Sequence, residues 1–236
     1  MNIALLLSGG VGTRLKSERP KQYIQAAGKM LITYALETLI QSPCIDAVQI
    51  VAEPEWRESI IADAQKNDLP TEKIMYFAMP GVNRQASILS GLECILRQRE
   101  AGVEDAVLIH DAARPNLTQE MIEACFQALQ GHDGVMPVLP MKDTVYLSAD
   151  GKRVSKLLNR SRIFAGQAPE LFNLKKYHQA NTALLPDKLL EINGSTEPAI
   201  LAGMDIVMIP GDEGNYKITT RADLERFQES VRAGKD

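Results

Sequence analysis

Cysteine is scarce and scattered. The three in this 236-residue chain, Cys44, Cys94 and Cys125, are odd in number and far apart. That spacing excludes a disulfide framework and offers no CxxC pair for zinc, so they read as small buried hydrophobes of a reduced compartment. A basic excess is also missing: 26 Lys+Arg stand against 30 Asp+Glu, a formal charge of −4. The chain therefore lacks the cationic footprint of a general nucleic-acid binder, although a few local cations can still dominate one pocket and hold a small anion. Long apolar runs are absent too. Ile3-Ala4-Leu5-Leu6-Leu7 has no basic leader or small-residue cleavage site and is too short to span a bilayer. The expectation is a cytoplasmic protein with no membrane partner. No repeat, low-complexity tract or long linker divides the sequence. With 45% hydrophobic and 24% charged residues, it reads as one ordinary globular domain over residues 1–236.

What is present is an alternation of short apolar runs with helical patterns, the signature of a mostly parallel sheet covered by helices. Strands are expected at 3–7, 48–52, 74–78, 106–110 and 135–138. Helices are expected at 31–40, 55–65, 83–99 and 121–129, with Ile88, Leu92, Ile95 and Leu96 stepping along one face of the third. The pattern changes between about 140 and 165, where two β-prone pieces, 144–147 and 154–158, flank Asp150-Gly151. An Asp-Gly between such runs signals a hairpin, here read as a protruding β-arm. The main fold resumes with a helix at 174–182, a strand at 206–209 and a terminal helix from Arg221. The fold class is thus α/β, three-layer and Rossmann-like, with an arm.

The chemistry begins directly after the first strand, at Ser8-Gly9-Gly10-Val11-Gly12-Thr13-Arg14. Glycines let backbone N–H groups wrap an anion where a Cβ would obstruct, and the carboxyl end of a parallel strand is where ligands usually bind. A tight structural turn is the plain alternative. The loop has neither the third glycine of a dinucleotide fingerprint nor GxxxxGK[ST], which excludes a Rossmann cofactor site and a P-loop. It is followed instead by Arg14 and by Pro20-Lys21-Gln22. Two fixed cations beside a glycine cradle suit a triphosphate and the charge that builds on a phosphorus under attack.

These residues, Ser8 to Arg14 with Pro20-Lys21-Gln22-Tyr23, resemble the start of the cytidylyltransferases that act on polyol phosphates, either 2-C-methyl-D-erythritol 4-phosphate or ribitol 5-phosphate. Further blocks follow in the family's order and cover nearly the whole chain. Asn83-Arg84-Gln85-Ala86-Ser87 with Gly91-Leu92 resembles R-x-x-S-x-x-x-G-L, and His110-Asp111-Ala112-Ala113-Arg114-Pro115 matches H-D-A-A-R-P. Lys142-Asp143-Thr144, Asn159-Arg160 and Asn215-Tyr216-Lys217-Ile218-Thr219 resemble the remaining blocks. The resemblance implies a nucleotidyltransferase fold, CTP and a polyol phosphate as substrates, Mg²⁺ as cofactor, and a homodimer whose arm crosses to the second subunit.

It also implies roles. Arg14, Lys21 and Lys217 would neutralise the reacting phosphates. Ser8, Gly9, Gly10, Gly12, Thr13, Arg84, Ser87, Asp111 and Ala112 would bind CTP. Asp111 would accept ribose hydroxyls or help hold Mg²⁺ through the triphosphate; by itself it reads equally as a loop or helix-start acid. Ser87 is by sequence either a helix cap or a reader of cytosine edges, and the resemblance favours the second. His110 at a strand end reads as a packed, structural group. Thr144, Arg160 and Arg114 would serve the acceptor, Arg114 being otherwise a brace or a structural ion pair.

The expected reaction is attack of an acceptor phosphate oxygen on the α-phosphorus of CTP with loss of pyrophosphate. H-D-A-A-R-P favours methylerythritol phosphate as acceptor, whereas 159–170 reads closer to ribitol phosphate enzymes. Ala168 and Glu170 depart from the family's T-P-Q, and Ser195-Thr196-Glu197-Pro198-Ala199 departs from T-D-x-A. A noncatalytic nucleotide sensor on the same fold is the alternative of another class, opposed by the intact cation set.

Overall fold

The computed structural model describes residues 1–10 and 19–234. Its centre is an eight-stranded sheet. β1 (Asn2–Leu7) lies between β4 (Ala47–Val51) and β6 (Ala106–Asp111), parallel to both, and β5 (Ile74–Ala78) extends the β4 side. Beyond β6 come β11 (Glu170–Asn173), β7 (Gly134–Pro140) and β12 (Ile206–Pro210). β11 runs antiparallel to both β6 and β7, and β12 runs parallel to β7. β10 (Phe164–Gly166) continues the same antiparallel edge of β7, separated from β11 by Gln167-Ala168-Pro169 with a cis Ala168–Pro169 bond.

Both faces of the sheet are covered, which is why the strands read as unbroken apolar runs. Ala4 and Leu6 of β1, Val48 and Ile50 of β4, and Leu108 of β6 face one core with α1 (Leu31–Gln41), α2 (Pro54–Lys66) and α4 (Gln119–Ala128). Ile3, Leu5, Val107 and Ile109 face the other, with α3 (Arg84–Gln98) and α5 (Leu174–Thr182), and Ala199 of the short α6 (Glu197–Leu201). The terminal α7 (Arg221–Ala233) packs Leu224 and Phe227 on Leu31. The result is the three-layer, mostly parallel α/β architecture expected from the residue pattern. A small hairpin of β2 (Gln25–Ala26) and β3 (Lys29–Met30) precedes α1.

The arm leaves the sheet between Pro140 and Phe164 as β8 (Val145–Leu147) paired with β9 (Lys156–Leu158). Its connection is longer than the two-residue turn the Asp-Gly suggests. Asp150 Oδ1 accepts the N–H groups of Lys152 (2.8 Å) and Arg153 (2.9 Å), and Ser155 N–H returns to Leu147 O at 2.9 Å. Besides the small β2–β3 hairpin, two strands of the main sheet were not anticipated. β11 offers only Leu171 and Phe172 as apolar residues, too short for a period to register, and β10 lies at the root of the arm. Among the described residues no helix is long and apolar enough to cross a membrane.

Candidate active site

The carboxyl ends of β1, β4, β5 and β6 meet at one sheet edge, where a cleft of about 570 Å³ opens. Leu7 pairs with Asp111 in the parallel register, so the glycine loop after β1 and the carboxylate ending β6 are neighbours by construction. The loop is held by the following motif. Ser8 Oγ donates to Val51 O at 2.7 Å, Gln22 Nε2 donates to the carbonyls of Ser8 and Gly10, and Tyr23 OH donates to Ser8 O at 3.0 Å. Tyr23 is itself fixed by stacking on Trp56 of α2, centroids 4.3 Å apart. Ser8, Gly9, Gly10 and Lys21 all line the cleft. Gly12, Thr13 and Arg14, expected to complete the loop, lie outside the described residues.

Opposite the loop, the segment 215–219 is tied down at both ends. Asn215 Nδ2 donates to Ala168 O (2.7 Å) and Asn215 O accepts Arg114 Nη1 (2.7 Å). Ile218 N–H donates to Ala113 O (2.8 Å), and Ile218 O accepts Lys21 Nζ (2.6 Å). Between these anchors Lys217 reaches into the cleft, and its Nζ donates to Asp111 Oδ2 at 2.8 Å. From the other side Arg84, first residue of α3, donates Nε to Asp111 Oδ1 at 3.0 Å. Arg114 Nε stands 4.0 Å from Asp111 Oδ2. Burial opposes ionisation of Asp111, but Arg84 and Lys217 override it and hold the carboxyl well below the usual carboxylate range.

α3 starts where Asn83 Oδ1 accepts Ala86 N–H at 2.7 Å, so the cap is Asn83 and not Ser87. Ser87 Oγ instead accepts Gly81 N–H (3.0 Å) and donates to Asn83 O (2.9 Å), which folds the 81–83 turn against the helix while Ser87 still lines the cleft. His110 is fully buried with Nε2 3.0 Å from Arg114 O, and burial pushes its pKa down to about 4. It is the neutral structural group the sequence suggested.

Four expected residues sit elsewhere. Ala112 is fully buried beneath the cleft with its N–H on Leu7 O at 3.0 Å, and Ala113 lines the wall in its place. Arg114 lies behind Asp111 and braces the Lys217 segment through Asn215. Thr144 and Arg160 are exposed on the arm, outside the lining of their own chain's cleft, with Arg160 Nη1 donated to Lys142 O at 2.7 Å. Sequence reasoning overlooked Gln22 as a clamp, and Glu53, Pro80 and Gly81 as lining. The last three follow β4 and β5, so the rule that ligands gather at carboxyl ends of parallel strands could have found them.

Among the described residues no group of three or more His, Cys, Asp or Glu could hold a metal ion. The carboxylates among the described residues that line the cleft are Asp111 and Glu53, the residue type that accepts a hard cation carried by phosphate oxygens. Among the described residues, the cleft lining carries the cations Lys21, Arg84 and Lys217 with these two carboxylates.

The family model described as 2-C-methyl-D-erythritol 4-phosphate cytidylyltransferase matches residues 2–232. A bifunctional IspD/IspF enzyme of Maricaulis maris is 32% identical over 232 residues, 97% of this chain, but the match spans only 56% of that protein. The chain therefore spans about half the length of such bifunctional relatives. A ribitol-5-phosphate cytidylyltransferase of Streptococcus pneumoniae is 29% identical over 95% of this chain and 96% of its own length. A 4-diphosphocytidyl-2C-methyl-D-erythritol synthase structure from Anaerococcus prevotii superposes with a TM-score of 0.81 at 23% identity, covering 98% of this chain and 96% of that one. The Francisella tularensis 2-C-methyl-D-erythritol 4-phosphate cytidylyltransferase structure gives 0.79 at 23%, covering 96% and 99%. These two likenesses establish the fold.

Proposed function

Because this chain belongs to the 2-C-methyl-D-erythritol 4-phosphate cytidylyltransferase family of nucleotidyltransferase enzymes, we propose that its cleft binds CTP and transfers the cytidylyl group to a polyol phosphate, with methylerythritol 4-phosphate as the preferred acceptor. The observation that carries this reading is the convergence of Lys21, Arg84 and Lys217 on the glycine loop and Asp111 at one sheet edge.

The acceptor phosphate is already largely dianionic at neutral pH, so the attacking oxygen needs no strong base. It attacks the α-phosphorus in line, the α–β bridging bond breaks, and the electrons leave on pyrophosphate. The protein supplies position and charge. Gly10 leaves open space for a phosphate against the backbone and Gly9 admits the close approach of Pro80, while Lys21 and Lys217 neutralise the transferring and leaving groups. The turn at 81–83, fixed by Ser87, faces the cleft where a pyrimidine edge can be read. Mg²⁺, when bound through the triphosphate and Asp111, adds positive charge at the reacting phosphates. His110 is fully buried and outside the cleft lining, so it is not placed to move a proton in this reaction.

The arm belongs to a homodimer in this proposal. Tyr146, Leu147, Val154 and Leu157 expose from 52% to 66% of their surface there, more apolar area than a solvated hairpin needs. Thr144 and Arg160 then reach the acceptor phosphate in the partner's cleft, a bidentate guanidinium suiting that group. A second reading, ribitol 5-phosphate as acceptor, is favoured by the end-to-end match with the pneumococcal enzyme. A titration with CTP, ATP, GTP and UTP tests the donor assignment. CTP should bind at least tenfold tighter than the others; a purine nucleotide outcompeting it overturns the cytidylyl reading.

A further inference from the structure

Behind Arg84 lies a second carboxylate that the proposed chemistry does not use. Glu170, at the start of β11, is 7% exposed. Its Oε1 accepts Thr196 Oγ1 at 2.8 Å, its Oε2 accepts Ser195 Oγ, and Arg84 Nη2 stands 3.8 Å from Oε2. With two hydroxyl donors and a guanidinium facing it, Glu170 is placed as an acceptor on every side. Ser195 is fixed in turn by Tyr177 OH, which donates to its carbonyl at 2.6 Å. Arg84 is thus suspended between two carboxylates, closely bonded to Asp111 and more loosely paired with Glu170.

We infer that Glu170 is a positioning residue for the nucleotide site: by drawing Nη2 to itself it keeps Arg84 on Asp111 through Nε alone, so that the pair does not become a two-point lock that an incoming phosphate ligand must break. The inference rests on reading the cleft as a CTP site. With Glu170 neutral, only Asp111 would attract Arg84. The guanidinium would then close on that carboxylate in a two-point pair that ligand must break. An amide at this position keeps the shape and one acceptor for the hydroxyls but removes that balance.

The test is a double-mutant cycle read by CTP binding in calorimetry, with no turnover needed. Glu170→Gln should weaken CTP about tenfold while changing kcat less than threefold. In an Arg84→Lys background the same change should cost less than twofold, because a lysine cannot form the two-point pair. Glu170→Asp, which keeps the charge but withdraws it, should cost about threefold and show the same dependence on Arg84; it serves if Glu170→Gln fails to fold. Equal losses in both backgrounds, or unchanged CTP affinity in Glu170→Gln, overturn the inference. Failure of the unmodified protein to bind CTP would instead overturn the cleft assignment itself.

Discussion

Lys217 and Asp111 lie 106 positions apart in sequence and 2.8 Å apart in space, Nζ to Oδ2. The pair spans the cleft floor from the last segment before α7 to the end of β6. Lys217 keeps 36% of its side chain exposed, and Arg84 would still neutralise the buried Asp111 without it, so its removal should cost the fold little. Its charge matters for a ligand.

Lys217→Ala should therefore lower kcat by about 100-fold or more, the usual cost of a lost transition-state cation. Thermal unfolding should move by only a few degrees. A variant with full turnover would remove Lys217 from the reaction.

Gln22 grips the carbonyls of Ser8 and Gly10 from inside the protein, being 3% exposed. Gln22→Ala leaves both carbonyls without that donor and frees the loop. About 1–3 kcal/mol of stability should be lost, and the KM for CTP should rise well beyond what the fold loses. Urea unfolding alongside CTP kinetics checks both halves.

Gly81 tolerates no side chain. A Cβ there would meet Ala86 C and Cβ at 2.5 Å and Ser87 N at 2.8 Å, all at the start of α3. Gly81→Ala should push the 81–83 turn off the helix, costing about 1–3 kcal/mol and CTP affinity together. Retained CTP affinity would show that the turn does not shape the nucleotide site.

His110 makes stability depend on pH. Its folded pKa is about 4 against an ordinary 6.5, so between those values the unfolded chain binds a proton that the folded chain refuses. The contribution is complete above about pH 6.5 and is lost as pH falls toward 4, in total on the order of 3 kcal/mol. Urea midpoints from pH 7.5 to 4.5 should slope accordingly, and His110→Gln should flatten that part of the slope.

The sequence carried the layered fold because strands such as 3–7 and 106–110 are buried on both faces and so read as continuous apolar runs. It carried the positions of Lys21 and Lys217 because each belongs to a distinctive short motif. It did not reveal β11, whose pairing is purely tertiary, nor Ala112, where the buried and lining members of an Ala-Ala pair differ only by strand geometry. Nor did it reveal the link from Glu170 to Arg84, because a polar cluster formed by α3, β11 and the residues before α6 leaves no periodic trace. Gln22 as a clamp was equally hidden, since a glutamine beside a lysine reads as surface until the loop carbonyls are placed above it.

The central claim is tested most directly by pyrophosphate release from CTP and Mg²⁺, with methylerythritol 4-phosphate and ribitol 5-phosphate in parallel. The account predicts rapid release with methylerythritol 4-phosphate and little or none with ribitol 5-phosphate. Release with ribitol 5-phosphate alone would contradict the acceptor assignment, and no release with either, while CTP still binds, would contradict the proposed reaction.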